Sequence, residues 1–398
     1  MIRAVTAEFA FVIFLRCSPK TNSFAANDAE AAWQQSKGKR KKLVCGVATA
    51  RWPDANLWQV VRMKLVSYEV QTRLGRFERI GALAHGTIVD LTSAACAFLA
   101  ESQDANGARK HAEALVPPDM IGFLEGGSSA RGLADQAVAY VGARLGSERR
   151  PLGPHGEQLT FAESEIRWLA PVPRPPMVRD GILILEHYRL GMGQLLKSEG
   201  GYLPEAAKTT PIYWKPSRAA VGGHKAPIQW PKYSKQLDYE FEIGMYIGKR
   251  GKNIPVERAW DHVAGYTIFQ DMCARDIQPA ELTFRVGTGK AKDFENSKVM
   301  GPCLVTADEL PNPEGLRLVT RVNGEVWFEG TFSGWAFTYA QLIAHVSQEE
   351  TLEVGDFFGS GPPAHSCGFE IGRWIKPGDV VEAEVEGIGV LSNQIVRA

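Results

Sequence analysis

An alternating stretch of polar and apolar residues that begins at Leu237, LDYEFEIGMYIGKR, most constrains how this chain folds. In a β-strand, residues i and i+2 lie on the same face, so Glu240 and Glu242 would point the same way. A second strand-like run covers residues 264–270 and is followed by Asp271. Three carboxylates that converge from two strands offer the oxygen ligands preferred by Mg²⁺, Mn²⁺ and Ca²⁺. The pattern therefore predicts a hard-cation site; the alternative is that both glutamates form the solvent face of an edge strand.

Chain length, charge balance and cysteine pattern narrow the class of protein. The chain has 398 residues, enough for two domains, and its 45 basic and 45 acidic side chains cancel. A balanced charge gives no reason to expect a nucleic-acid partner or an anionic membrane surface. The six cysteines show no CxxC pair, and no apolar run approaches the roughly 20 residues of a membrane-spanning helix. These features predict a cytoplasmic protein with reduced thiols and no membrane partner.

Three segments are expected along the chain. Residues 1–62 contain a basic run, KGKRKK, and precede MKLVSYEV, which is typical of a domain start, so they are predicted to be a disordered or spurious extension. Residues 63–161 combine strand-like runs with helical spacing and predict a small N-terminal domain. After a proline-rich linker, residues 167–398 hold many short strands and few long helices. The expected fold class is α+β, mainly β, with a sheet curled around the site.

One histidine stands out in RDGILILEHYRLGMGQ, just after the linker. A histidine among apolar residues is more often a satisfied core residue, but His187 becomes a catalytic candidate if a carboxylate fixes its tautomer. The adjacent Glu186 would project elsewhere on a strand or on a helix. The partner is therefore expected from a distant segment, and Glu370 in GFEIGRWIKPGD is the candidate.

Two lysines follow a glycine-rich run, VGTGKAK, in a segment typical of a loop. The simpler interpretation of Lys292 and Lys298 is a pair of solvated surface residues, the commonest fate of lysine. The functional interpretation places one ammonium over a carboxylate or enolate of a bound substrate. VGTGK lacks the spacing of a phosphate-binding loop, which argues against a nucleotide site.

Taken in order, LDYEFEIGMYIGKRGKNIP, GYTIFQDMCARDIQ and GFEIGRWIKPGD resemble the fumarylacetoacetate hydrolase family across residues 177–398, and the last is similar to the fumarylacetoacetase branch. The resemblance implies a C-terminal domain built as a mixed β-roll around a divalent metal, a small SH3-like N-terminal domain, and a homodimer formed through the large domains. It also implies Mg²⁺ as the favoured cofactor, with Mn²⁺ or Ca²⁺ as alternatives, and a small dicarbonyl or 2-oxo acid as the substrate.

The resemblance also implies roles for individual residues. Four carboxylates match the metal ligands of the family: Asp180, Glu240, Glu242 and Asp271. Three side chains match the catalytic group: His187 as the base, Glu370 as its partner, and Lys292 as the cation that stabilises developing negative charge. Three more match substrate-binding positions: Arg275, Gln278 and Ser360, where the fumarylacetoacetase branch has a threonine.

Several positions depart from the family pattern. Gln270 stands before the metal aspartate where asparagine is frequent, and Leu190 replaces a glutamate that acylpyruvases carry three residues after the histidine. Leu282 replaces a substrate-facing tyrosine, which suggests a less polar pocket, and Leu196 replaces an arginine. These departures leave the exact substrate open.

The implied reaction is metal-dependent hydrolysis of a C–C bond in a 1,3-dicarbonyl or acylpyruvate-type compound, with His187 activating water. The first alternative is a decarboxylase, isomerase or dehydratase that acts on a 2-oxo acid through a metal-bound enolate, because the carboxylates suit that chemistry equally well. A non-catalytic small-molecule binder is the second alternative, and a purely structural metal protein is the third.

Overall fold

The computed structural model describes residues 63–196, 200–283 and 287–397, which belong to one compact unit bounded by Trp58 and Ala398. The predicted extension at residues 1–62 and the side chain of Leu196 lie outside the described residues. Within the described ranges, no helix has both the length and the apolar composition needed to cross a lipid bilayer.

Short strands dominate the described chain. The strands are β1 Lys64–Thr72, β2 Gly75–Ala84, β3 Thr87–Asp90, β4 Thr160–Phe161, β5 Arg167–Trp168, β6 Val178–Gly181, β7 Tyr213–Trp214, β8 Val221–Gly222, β9 Ile228–Gln229, β10 Leu237–Asp238, β11 Phe241–Ile247, β12 Val263–Asp271, β13 Cys273–Ala274, β14 Lys298–Thr306, β15 Arg317–Val322, β16 Glu325–Thr331, β17 Phe357–Gly359, β18 Val380–Val385 and β19 Gly389–Val396. The α-helices are α1 Leu91–Leu99, α2 Ala105–Leu115, α3 Met120–Glu125, α4 Gly127–Leu145, α5 Leu185–Leu196, α6 Gln278–Thr283, α7 Tyr339–Val346 and α8 Gly368–Ile371. Short 3₁₀ turns cover Glu163–Glu165, Glu205–Lys208, Arg218–Ala220 and Val256–His262.

The largest sheet runs continuously from the N-terminal strands into the C-terminal ones. Its strand order is β4-β3-β2-β1-β14-β12-β11-β17-β6-β7, with β5 beside β1 and β8 beside β14. The junction is the antiparallel pair β1–β14, in which Lys64 pairs with Val305. The other described strands form a sheet of order β16-β15-β18-β19-β9 and the pair β10–β13. The α+β, mainly β class is confirmed, whereas the division at residues 161–167 and the SH3-like first domain stay predictions.

Two apolar clusters hold these layers together. One lies among the C-terminal strands and includes the fully buried Phe241, Tyr266 and Leu391. The other joins the large sheet to helices α1–α4 and includes Ile80 and Phe357. Burial of one such side chain contributes roughly 1.5–3 kcal/mol, so the apolar faces of the strands determine which side of each strand is left for the site.

Local signals account for several element ends. The sequence Asn323-Gly324 predicts a hairpin, and it forms the turn between β15 and β16, with φ values of 51° and 81°. Helix α1 begins after Asp90, whose carboxylate accepts the backbone N–H of Ser93 at 2.8 Å. Helix α2 begins after Asp104, whose carboxylate accepts the backbone N–H of Gly107 at 2.9 Å.

The strands that carry the predicted carboxylates are central in the sheet. Every residue of β11 is buried, and the strand pairs with β12 on one side and with β17 on the other. The backbone N–H groups of Glu240 and Asp271 each donate to the carbonyl of the other residue, at 3.1 and 3.0 Å. Because Glu240 and Glu242 are buried, the alternative of a solvent-facing edge strand is wrong.

Candidate active site

Three carboxylates meet in the region formed by β12, β11, β17 and β6. Asp180, Glu242 and Asp271 each offer one oxygen, and these three oxygens lie within 4.8 Å of one another in a buried position. Strand β17 lies between β11, which carries Glu242, and β6, which carries Asp180. Its Gly359 pairs with Gly244 of β11 and with Asp180 of β6. A Cβ atom at position 359 would lie 2.6 Å from Asp180 Oδ1 and 2.8 Å from Glu242 Oε2, so glycine is required for the carboxylates to approach.

Two oxygens of this carboxylate cluster, Asp180 Oδ1 and Glu242 Oε1, have no hydrogen-bond partner among the described residues. The other oxygen of each group is bonded, Asp180 Oδ2 to Trp214 Nε1 and Glu242 Oε2 to the Gly361 N–H, both at 2.8 Å. Burial and then the charge of Asp271 raise the pKa of Asp180 to about 8. Burial and then the neighbouring carboxylates also raise the pKa of Glu242 well above its usual value. Buried oxygens that repel each other and lack donors fit a divalent cation with a preference for oxygen ligands.

Two buried lysines lie on the other side of Asp271. Lys292 Nζ donates to Asp271 and, at 2.5 Å, to Glu240 Oε2, and Lys298 Nζ also donates to Asp271. The two Nζ atoms lie 5.8 and 5.2 Å from the centroid of the Trp214 ring. The simpler interpretation of two solvated lysines is wrong, because Lys292 is 4% exposed and Lys298 is fully buried.

Glu240 lies beside the cluster, and both of its oxygens contact cations. Oε1 lies 2.8 Å from an Nη atom of Arg275, and Oε2 accepts from Lys292. Burial alone would raise the pKa of Glu240, but the charges of Lys292, Arg275 and His187 outweigh burial and hold it well below its usual range. The structure therefore places Glu240 next to the carboxylate cluster as a partner of cations, and its assignment as a metal ligand stays a prediction.

His187 and Glu370 come together from positions 183 residues apart. His187 lies in the first turn of α5, and its Nδ1 is 2.7 Å from Oε1 of Glu370 in α8. The second carboxylate oxygen accepts the backbone N–H of His365. A carboxylate at Nδ1 favours the tautomer with the proton on Nδ1 and the lone pair on Nε2. Nε2 lies 3.7 Å from Glu240 Oε1, and His187 lines the cavity.

A buried network orients Arg275 and Gln278. Arg275 Nε donates to Asp238 Oδ2 at 2.9 Å, and Nη1 donates to Gln278 Oε1 at 3.0 Å. The guanidinium also lies over the Phe369 ring, 4.9 Å from its centroid. The same Asp238 oxygen accepts the backbone N–H of Phe369 at 3.1 Å, next to Glu370. Asp238 is not among the site residues predicted from the sequence, although its position two residues before Glu240 in the same alternation was the available signal.

A cavity of about 200 Å³ joins these groups. The residues that line it are Asp180, Gly181, Ile182, His187, Tyr188, Gly191, Met192, Trp214, Glu240, Glu242, Arg275, Gln278, Leu282, Gly287, Thr288, Lys292, Gly361, Pro362 and Phe369. Ser360 is not among them: its hydroxyl donates to the Gly361 carbonyl at 2.7 Å and accepts the Ile243 N–H at 3.3 Å. Contact between Ser360 and substrate stays a prediction without geometric support. Leu282, by contrast, lines the cavity.

Comparison with known proteins places the chain in a family. Residues 193–396 match the family model described as fumarylacetoacetate (FAA) hydrolase C-terminal. An oxaloacetate tautomerase, YisK of Bacillus subtilis (strain 168), is 36% identical over 266 residues, which are 66% of this chain and 83% of YisK. The chain belongs to the fumarylacetoacetate hydrolase family. Within that family it is also similar to the mitochondrial oxaloacetate tautomerase FAHD2A of Bos taurus, with 30% identity over 90% of this chain and 98% of the relative.

Solved structures support the same fold. Fumarylacetoacetate hydrolase from Exiguobacterium antarcticum superposes with a TM-score of 0.58 at 23% identity, covering 84% of this chain and 100% of that chain. Maleylpyruvate hydrolase from Sphingobium sp. SYK-6, solved with manganese(II) and pyruvate, gives a TM-score of 0.57 at 20% identity with the same coverage. The fumarylacetoacetate hydrolase family and its fold are therefore established for this chain, and a divalent metal is present in at least one structure of that fold.

Proposed function

We propose that this family member is a metal-dependent isomerase that interconverts the keto and enol forms of a small 2-oxo acid, with oxaloacetate as the first substrate to test. The observation that carries the proposal is the position of His187. Its Nδ1 is fixed by Glu370, and His187 lines a cavity whose wall also includes Asp180 and Glu242. The similarity to oxaloacetate tautomerases, up to 36% identity, supports isomerisation over the C–C hydrolysis that the sequence resemblance first implied.

Asp180, Glu242 and Asp271 are the residues that would hold the divalent cation, and the unpartnered oxygens of the first two support that assignment. When bound, such an ion would supply Lewis acidity toward the oxygens of a 2-oxo acid. Mg²⁺ and Mn²⁺ both suit a site made only of carboxylate oxygens, so both belong in the assay.

The protein's own residues move the proton. His187 Nε2 takes a proton from C3 of the keto acid; the C–H electron pair forms the C2=C3 double bond, and the carbonyl π pair moves onto the C2 oxygen. His187 then returns the proton to that oxygen, which gives the enol without any other reactant. Glu370 stabilises the imidazolium between the two transfers. General-base catalysis of this kind contributes about 10²–10⁴-fold.

The charged wall of the cavity stabilises the intermediate. Lys292 is buried and lines the cavity, so its ammonium offsets negative charge that develops on the substrate oxygens. Gln278 accepts from Arg275 through Oε1, which leaves its amide N–H groups to donate to the substrate. Arg275 therefore acts by orienting Gln278 and by neutralising Glu240 rather than as an unpaired cation.

The test follows the decay of enol-oxaloacetate by its ultraviolet absorbance, with Mg²⁺ or Mn²⁺ and again with excess EDTA. We expect metal-dependent ketonisation above the buffer rate, and a loss of about 10²–10⁴-fold in kcat for His187→Ala. His111→Ala, a change at an exposed histidine in α2, is the matched control and should leave the rate unchanged.

Product analysis separates the competing reactions. Mass spectrometry after incubation with oxaloacetate and with acylpyruvates should show unchanged mass and no shorter acids if the protein is an isomerase. Metal-dependent release of two shorter acids would support the hydrolase, and loss of CO₂ or water would support the decarboxylase or dehydratase. Full ketonisation activity in His187→Ala would refute the role of His187.

A further inference from the structure

A second group of side chains of metal-ligating type shares the cavity with the carboxylate cluster through His187 and differs from the cluster in chemistry. His187, Cys367 and Glu370 each offer one ligand atom, and these atoms lie within 4.8 Å of one another. Cys367 directly precedes α8 and Glu370 lies within it, three residues later, while His187 comes from α5. The thiol is fully buried, and His187 reaches the cavity wall.

The two groups differ in the ions that they prefer. Asp180, Glu242 and Asp271 offer only carboxylate oxygens, which suit Mg²⁺, Mn²⁺ and Ca²⁺. A cysteine, a histidine and a carboxylate together provide sulfur, nitrogen and oxygen, the ligand types that bind Zn²⁺. A set with one thiolate discriminates strongly against Mg²⁺ and favours Zn²⁺ and related thiophilic ions.

We propose that Cys367, His187 and Glu370 form an inhibitory site for Zn²⁺, separate from the site of the activating cation. Binding uses the Cys367 sulfur after its proton leaves to solvent, one imidazole nitrogen of His187 and one oxygen of Glu370. Three protein ligands leave a fourth tetrahedral position, which water can fill from the cavity side.

The inhibitory effect rests on the proposed role of His187 as the base, whereas binding itself does not. A zinc-bound imidazole has lost either the lone pair that accepts the substrate proton or the hydrogen bond to Glu370 that orients the ring. Both losses stop proton transfer while the carboxylate cluster keeps its own cation. Zn²⁺ is therefore expected to inhibit even when Mg²⁺ is saturating, and added Mg²⁺ should not reverse the inhibition.

The test titrates Zn²⁺ into the full chain at saturating Mg²⁺, with a reductant that does not chelate zinc. Cys367→Ala should raise the zinc concentration for half-inhibition by at least about tenfold, since even loss of an indirect metal contact costs that much. Cys303→Ala is the matched control, because Cys303 is an equally buried free thiol on β14 that is absent from both clusters. Cys367→Ser provides a second variant of nearly unchanged volume.

Co²⁺ gives a readout that does not depend on activity. In the Mg²⁺-loaded protein, Co²⁺ should produce a thiolate-to-cobalt absorption band in the wild type and in Cys303→Ala, and no band in Cys367→Ala or Cys367→Ser. Absence of the band in the wild type overturns the proposal, as does equal zinc inhibition of wild type and Cys367→Ala. A Cys367-dependent band in a protein that turns over no 2-oxo acid would support the site and refute the proposed function instead.

Discussion

Asp238 offers the sharpest test of how the Arg275–Gln278 network and the helix that carries Glu370 are held together. Its Oδ2 atom accepts from Arg275 Nε at 2.9 Å and from the Phe369 N–H at 3.1 Å, while Oδ1 has no partner among the described residues. One oxygen thus fixes both the guanidinium that orients Gln278 and the short helix that carries Glu370. Replacement of Asp238 by alanine should loosen both contacts at once.

The expected magnitudes differ between two substitutions. Asp238→Ala leaves the buried Arg275 guanidinium without one of its two carboxylate partners, and removal of one member of a buried pair costs about 3–5 kcal/mol. Asp238→Asn keeps an acceptor oxygen at the Oδ2 position and places its amide nitrogen where Oδ1 has no partner. Burial raises the pKa of Asp238, and the charge of Arg275 opposes that shift. We therefore expect Asp238→Asn to cost only about 1 kcal/mol.

Urea unfolding followed by circular dichroism measures these free energies, and the enol-oxaloacetate assay measures the catalytic consequence. Asp261→Ala is the control, because Asp261 pairs with Arg258 at the surface, where such a pair is worth about 0–1 kcal/mol. If Asp238→Ala were as stable as Asp261→Ala, or if Asp238→Asn were as damaging as Asp238→Ala, the account of a shared acceptor oxygen would be wrong.

Three further predictions concern cation binding and pH. Glu242→Gln removes one repelling carboxylate, so without added metal the variant should melt at a higher temperature than the wild type. It should also lose most of the stabilisation that Mg²⁺ provides, which is about 2.7 kcal/mol at 100 times Kd. A metal-free Tm below that of the wild type would contradict this prediction. Gly359→Ala should weaken Mg²⁺ or Mn²⁺ binding in calorimetry by at least about tenfold, because the new Cβ would meet two cluster oxygens, whereas Gly132→Ala, with open space at its Cβ, should bind normally. Burial and then the charge of Lys225 lower the pKa of His224 to about 4. Because the unfolded chain, with a pKa near 6.5, takes up the proton first, the free energy of unfolding should fall by about 3 kcal/mol between pH 6.5 and pH 4. Urea unfolding of His224→Gln should show a flatter pH dependence, and an unchanged slope would refute this explanation.

The proximity of Glu242 and Asp271 was predictable from the sequence because the information for it is local. Glu240 directly precedes β11 and Glu242 lies within it, and both line the same cavity, as the alternation in that one short segment indicated. Asp271 follows from the next strand in the same way, since the central pairing of β11 with β12 brings the two segments side by side. The fold class followed from the number of short strands.

The contacts made across the fold were not predictable in this way. Trp214 donates to Asp180 from a two-residue strand 34 positions away, and no local pattern marks it as a donor. Ser360 matched a family position, but the backbone of β11 and Gly361 use its hydroxyl, and such competition is visible only in three dimensions. The continuation of the sheet from β1 into β14 likewise depends on a pairing across more than 200 residues.

Glu240 lies between His187 and the cations Lys292 and Arg275, and this position bears on the reaction itself. Glu240 Oε1 lies 3.7 Å from His187 Nε2, and a carboxylate attracts an imidazolium more strongly in a buried site than in water. An isomerase must return the proton that it removes, so a base that holds its proton too strongly would stop after the first step. Lys292 and Arg275 each contact one oxygen of Glu240 and thereby balance most of this charge. In the proposed isomerase, the cations around Glu240 would therefore serve proton return as much as oxyanion stabilisation.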